Sequence, residues 1–165
     1  MFKYKILALA GKSGAGKDYC LKQIAKANDY HTIVSATTRP KRDYEREGID
    51  YHFLSEQEFK NSNFLEHTEF NGWFYGTRVE DLDPALVNIG VFNPAGVRAL
   101  SANKNVDLSV IFVDASDKTR LLRQLNREKD PNVKEIIRRF MADEEDFKDF
   151  PYDQCRILVN EDEGD

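Results

Sequence analysis

The chain has 165 residues, 41% of them apolar and 32% charged, a balance that supports one buried core and excludes a disordered polymer. Its net charge of −5 is unevenly spread: 22 Lys/Arg face 19 Asp/Glu over residues 1–140, against 2 and 10 over residues 141–165. A nucleic-acid surface needs a broad basic excess and a membrane span about 20 consecutive apolar residues; the sequence offers neither.

Residues 4–10 (YKILALA) run apolar without clean alternation, as a strand covered on both faces does. Lys3 and Lys5 ahead of this run imitate an export signal, but the run meets a Gly-Lys-Ser-Gly turn instead of a cleavage site, so a buried first strand is expected. Gly11 to Gly16 form a glycine-rich bend, and a helix is predicted over residues 17–27 with Leu21, Ile24 and Ala25 inward. Strand, glycine loop and helix open an α/β unit with a parallel sheet. Residues 31–35 read as a second strand and residues 37–48 as an ordered, basic loop over a site. Residues 50–53 look extended, and Ser55 with Glu58 starts a helix with a capping box. Residues 66–70 and 73–75 flank Asn71-Gly72, a strong hairpin signal. A short helix over 79–86 and strands over 89–92 and 110–113 follow. Then come a helix over 118–127 with Leu121, Leu122 and Leu125 inward and another over 133–147 on Ile136, Ile137 and Phe140. A last strand over 157–159 leads to a frayed acidic tail, 161–165. Cys20 and Cys155 fit reduced thiols of a cytoplasmic protein.

Gly11-Lys12-Ser13-Gly14-Ala15-Gly16-Lys17-Asp18 has phosphate-loop spacing up to its last position. Glycines at 11, 14 and 16 let the backbone curl until the N–H groups of Ser13, Ala15 and their neighbours point inward at phosphate oxygens. The next helix presents its positive N-terminus, and Lys17 can reach the outer phosphates as a point charge. A tight turn without ligand is the plain alternative. At the last position a hydroxyl usually ligates Mg²⁺, but this chain has Asp18. A carboxylate is a hard-metal ligand; it is equally an ordinary first-turn residue favoured by the helix dipole.

Beyond the loop, Ser35-Ala36-Thr37-Thr38-Arg39-Pro40-Lys41-Arg42, Gly48 to Ser55, Phe64-Leu65-Glu66-His67 and Phe70 through Tyr75-Gly76-Thr77 appear in an order that resembles the guanylate kinase family of nucleoside monophosphate kinases. Weaker matches lie around Gly96-Val97-Arg98 and from Tyr152 to Asn160. The resemblance implies a P-loop three-layer α/β fold with a central, mostly parallel sheet. It implies a core over about 1–34, 78–122 and 140–165, a small mixed β subdomain for the monophosphate over about 35–77, and a helical lid over about 123–139. By the same resemblance Ser35, Glu66 and Thr77 contact the base, and Arg39, Arg42, Tyr51 and Tyr75 hold the acceptor phosphate. Arg123, Arg127 and Arg139 surround the transferring phosphoryl group.

The residues fit these roles on their own chemistry. Arg39 and Arg42 are three apart, close enough for their donor forks to address one phosphate, though they also suit a solvated loop. Glu66 can accept from guanine N1–H and its amino group, or be a plain hairpin carboxylate. Tyr51 and Tyr75 also suit a core. Arg120, Arg123 and Arg127 share one helical face, where like charges repel mildly unless an anion is near.

Two departures stand out. Val91 and Asn93 replace two aspartates of the family, the second of which helps to read the guanine amino group; Asn93 keeps an amide oxygen that accepts without charge. Asp18 suggests a carboxylate relocated toward Mg²⁺. The expected function is ATP- and Mg²⁺-dependent phosphorylation of a nucleoside or deoxynucleoside 5′-monophosphate, GMP or dGMP foremost. The alternatives are a kinase of altered base specificity and a non-catalytic binding domain. Small-molecule nucleotides are the expected partners, with no nucleic acid or membrane, in a monomer or homodimer.

Overall fold

The computed structural model describes residues 1–70 and 72–162. In chain order the elements are β1 (Tyr4–Ala10), α1 (Lys17–Asn28), β2 (His31–Thr32), β3 (Ala36–Thr37), β4 (His52–Phe53), α2 (Glu56–Lys60), β5 (Phe64–Phe70) and β6 (Trp73–Arg78). They continue with β7 (Val87–Val91), α3 (Pro94–Ser101), β8 (Val106–Asp114), α4 (Asp117–Arg127), α5 (Val133–Asp146) and β9 (Arg156–Val159).

A five-stranded sheet of order β2-β7-β1-β8-β9 has only parallel pairings. Successive side chains of a strand point to opposite faces. Ile6, Ala8 and Ala10 of β1 therefore enter one core cluster with Phe92, Val97, Leu100, Phe112, Phe147 and Phe150. Leu9 enters the other with Ala15, Cys20, Leu21, Ile89 and Val113. Covering on both faces explains why β1 reads as a continuous apolar run. Because β1 sits in the middle, with β7 on one side and β8 on the other, the chain reverses its winding direction there, and the glycine loop emerges at this switch point.

A second sheet of order β4-β3-β6-β5 is mixed: β3 and β4 run parallel, and β6 is antiparallel to both β3 and β5. This is the α/β architecture expected from the sequence, a mostly parallel central sheet with a smaller mixed one. Gly72 takes φ +81°, as the tight turn between β5 and β6 requires; its expected turn partner Asn71 lies outside the described residues. The Ser55–Glu58 capping box is present in both directions. Among the described residues no helix is long and apolar enough to cross a membrane, and Cys20 and Cys155 are free thiols.

Several expectations are corrected. The strand over 31–35 is only two residues long, because the chain leaves the large sheet after Ile33 and joins the small one at Ala36. The helix over 79–86 is a single 3₁₀ turn, Val79–Asp81. Pro84 disfavours helical backbone at Asp83, and fully buried Asn88 serves the local backbone instead. Its Oδ1 accepts from Asp83 N–H at 2.8 Å, and its Nδ2 donates to the carbonyls of Asp83 and Leu86. Helix α3 went unpredicted although Asn93 and Pro94 are an N-cap and first-turn proline.

Helix α4 is turned relative to its leucines. Arg120 (1% exposed) and Gln124 face inward, while Leu122 is 45% exposed. The inner neighbour is the glycine loop, whose backbone carbonyls require donors rather than methyl groups. Ile137, expected inward on α5, is also exposed, and Ile136 alone of that pair is buried. Glu161 is not frayed: it accepts from Ser116 N–H and from Thr119 Oγ1, fixing the start of α4. Residues 163–165 of the expected tail lie outside the described residues.

Candidate functional site

The carboxyl ends of the parallel strands deliver the chain to one edge of the molecule. Gly11 follows β1, Asn93 follows β7, Ser116 follows β8 and Asn160 follows β9. Ligands of open parallel sheets bind at this edge.

The glycine loop is braced from behind. Arg120 donates to Ser13 O at 3.3 Å and to Asp117 at 2.8 Å, with its guanidinium 4.4 Å from the centre of the Phe140 ring. Gln124 donates to Ser13 O. Arg123 donates to the carbonyls of Gly14 and Ala15 at 3.1 and 3.2 Å and to Asn160 O at 2.6 Å, and Asn160 Nδ2 donates to Ala15 O at 2.9 Å. With its carbonyls turned outward and engaged, the loop keeps its curl. Gly14 and Gly16 sit at φ +80° and +89°, and a Cβ at Gly14 would meet Arg120 O at 2.5 Å. Substitution there is therefore blocked by backbone conformation and by space together.

On its inner side the loop meets charge. Lys17 Nζ donates to Gly11 O at 2.6 Å. Burial pushes this ammonium below its ordinary pKa, while the carboxylates of Asp143 and Asp18 pull it back upward. Asp143 of α5 accepts from Ser13 N–H at 2.7 Å, and neighbouring Glu144 pairs with Lys12 at 2.9 Å. Arg127 is exposed at the end of α4, and its charge also contributes to lowering Lys17. Arg139 stands apart on the exposed face of α5, with its Nε 3.9 Å from Glu135.

Asp18 is exposed in the first turn of α1. Among the described residues no group of three or more metal-ligating side chains gathers. Mg²⁺ nevertheless asks only for one or two carboxylates alongside waters and substrate phosphates, so Asp18 beside Lys17 fits that ion by donor chemistry.

The small sheet builds the other end. Ser35, Tyr51, Glu66, Tyr75 and Asn93 line a cavity of about 320 Å³. Tyr51 and Tyr75 meet edge to face at 6.0 Å, and the Arg39 guanidinium lies 5.4 Å from the Tyr51 ring centre. Arg39 also forms a bidentate pair with Glu45, both bonds at 2.8 Å. That pairing raises the arginine further and lowers Glu45 to about 2. Arg42 is exposed; its backbone N–H donates to Glu45, and its side chain reaches Tyr44 OH at 3.0 Å. Thr77 is fully buried and donates its hydroxyl to Glu66 Oε1 at 2.8 Å, so it supports the carboxylate from beneath. Burial pushes Glu66 above the usual carboxylate range, partly offset by that hydroxyl. Asn93 departs from its expected role. Its amide oxygen accepts from Gly96 N–H at 2.7 Å as the cap of α3, so the acceptor counted on from the sequence is committed elsewhere.

The structure thus brings Lys17, Asp18, Arg123 and Arg127 to the loop, and Ser35, Arg39, Tyr51, Glu66, Tyr75 and Asn93 to the small sheet. Sequence reasoning missed Glu45, Gln124, Asp143 and Asn160, and it put Arg120 on an anion-facing surface with Arg123 and Arg127, whereas the side chain is buried behind the loop. The available signals were Arg120 and Gln124 at helical spacing, and an acidic residue six positions from Arg39. Asp143 and Asn160 meet the loop only through tertiary folding and carry no local signal.

A family model described as guanylate kinase matches residues 3–164. The guanylate kinase of Maricaulis maris is 34% identical, the match covering 95% of this chain and 76% of that protein. That of Fusobacterium nucleatum is 28% identical over 94% of this chain and 87% of that protein. The crystal structure of guanylate kinase from Anaplasma phagocytophilum matches with a TM-score of 0.64 at 24% identity, covering 98% of this chain and 79% of that chain.

Proposed function

This chain belongs to the guanylate kinase family, and from that premise we propose that it transfers the γ-phosphoryl group of ATP to a nucleoside or deoxynucleoside 5′-monophosphate. The observation that carries the reading is the pairing of two anion grips in one small domain: the curled loop with Lys17, and the Arg39–Tyr51–Tyr75 cluster beside the Glu66 cavity. A hydrolase needs only the first.

In this reading residues 35–77 hold the acceptor and residues 123–139 close over the donor. An oxygen of the acceptor phosphate attacks the γ-phosphorus. The new O–P bond forms as the bond to the β-phosphate oxygen breaks, and ADP leaves with that electron pair. The acceptor oxygen is already anionic, so no general base is required. Lys17 spreads the charge of the transferring group, Arg127 and Arg139 reach it as residues 123–139 close, Arg123 acts through the loop carbonyls it holds, and Arg39 and Arg42 align the acceptor. Asp18 would hold Mg²⁺ beside the bound phosphates, where the ion would supply charge neutralisation. Glu66 takes a ring N–H, which guanine has and adenine and cytosine lack, so GMP and dGMP are acceptors in this reading.

Coupled ADP release measured with GMP, dGMP, dTMP, AMP and dCMP tests it. Release dependent on a monophosphate is expected, with AMP and dCMP poorest. A binding-only domain on the same fold is the competing reading, prompted by Asp18 in place of a hydroxyl; it predicts no release with any acceptor.

A further inference from the structure

Asn93 lines the base cavity with its amide oxygen already engaged by the backbone. A side-chain amide has one acceptor oxygen and two donor hydrogens. The oxygen of Asn93 is engaged by Gly96 N–H at 2.7 Å at the start of α3. Asn93 is exposed where it lines the cavity, and among the described residues no protein acceptor engages its Nδ2–H₂ edge. Turning the amide over would set donor against donor at Gly96 and forfeit the cap, so the amide is held as a donor. Elsewhere in the cavity, Glu66 supplies an acceptor, with Oε1 already taking the Thr77 hydroxyl and Oε2 left for a ring N–H. The Ser35 hydroxyl lines the same space and can donate.

We propose that Asn93 selects monophosphates whose base carries a carbonyl–N–H–carbonyl edge, the imide edge of xanthine, uracil and thymine, over guanine with its 2-amino group. This rests on the reading that the Glu66 cavity receives the acceptor's base. The ring N–H meets Glu66, and the two flanking carbonyls meet Ser35 and Asn93. Guanine satisfies the first two contacts but brings its amino group against the Asn93 amide, leaving two donors face to face. Hypoxanthine, with only hydrogen at that carbon, lies between.

IMP and GMP differ only in this substituent, and XMP differs from them also by a proton on the neighbouring ring nitrogen, so dissociation constants on the intact protein, measured by calorimetry below the pH at which xanthine ionises, read the selection. The expected order of affinity is XMP, IMP, GMP, with roughly tenfold between the ends, on the scale of one N-cap bond. Asn93→Asp keeps the cap, because Asp serves that position as well as Asn, and replaces the donor edge with a carboxylate oxygen. The order then inverts, with GMP tightest and the melting temperature unchanged. UMP and dTMP distinguish the two sources of the edge: a higher kcat/KM for them than for XMP assigns the site to pyrimidines, and the reverse assigns it to purines. GMP binding more tightly than XMP, or an order that Asn93→Asp leaves unchanged, overturns the proposal. Should the binding order hold while no monophosphate releases ADP, the kinase reading falls and the selection stands.

Discussion

Around the glycine loop, Arg120, Arg123, Gln124 and Asn160 all donate to backbone carbonyls of residues 13–15. Around the cavity of the small sheet side chains also hold one another: Arg39 with Glu45, Thr77 with Glu66, Tyr51 with Tyr75. The first plan fixes the direction of N–H groups and is indifferent to most of the loop's side chains. The second depends on which atom each side chain presents, so one change of atom type can alter what is bound without disturbing the fold.

Removing the charge at the backbone-built end should have the largest effect. Lys17→Ala is expected to lower kcat by about a hundredfold or more, the scale of losing one charge-stabilising donor, with thermal stability retained; steady-state kinetics at varied ATP checks it. Next, Arg42→Ala should raise KM for the monophosphate by roughly tenfold, as loss of a charge-assisted hydrogen bond does, and leave KM for ATP alone. Equal changes on both substrates would erase the distinction between the two ends.

Arg120→Ala tests the brace itself. Its loss leaves Ser13 O with one donor fewer and a gap beside Phe140, a cost of roughly 2 kcal/mol read from denaturant midpoints. A fourth prediction concerns pH at the other end. Glu45 falls from 4.5 to about 2 on pairing with Arg39. Its contribution is therefore fully present above pH 4.5 and fades as pH drops toward 2. The stability gap between the parent and Glu45→Gln should narrow across that window; a gap constant from pH 7 to 2 would show the pair to be inert.

The same contrast explains what could be read from the sequence. The loop was legible because backbone curling leaves a spacing of glycines, and β1 because two-sided burial leaves an apolar run. Helix α4 was recognised, but its inward face was not. Leucines are the ordinary inward residues of a helix, and nothing local says that the neighbour is a row of carbonyls. The hairpin and the Ser55 cap follow short-range rules and were legible. Glu45, Asp143 and the committed oxygen of Asn93 were not, since each depends on which partner folding brings near.

Phosphoryl transfer between the two grips is tested most directly with ATP carrying ¹⁸O on its γ-phosphoryl group. Incubated with the protein and a monophosphate, it should place the label in the β-phosphate of the new nucleoside diphosphate, with little in inorganic phosphate. Label recovered as inorganic phosphate, or ATP left intact with every acceptor, would contradict the account.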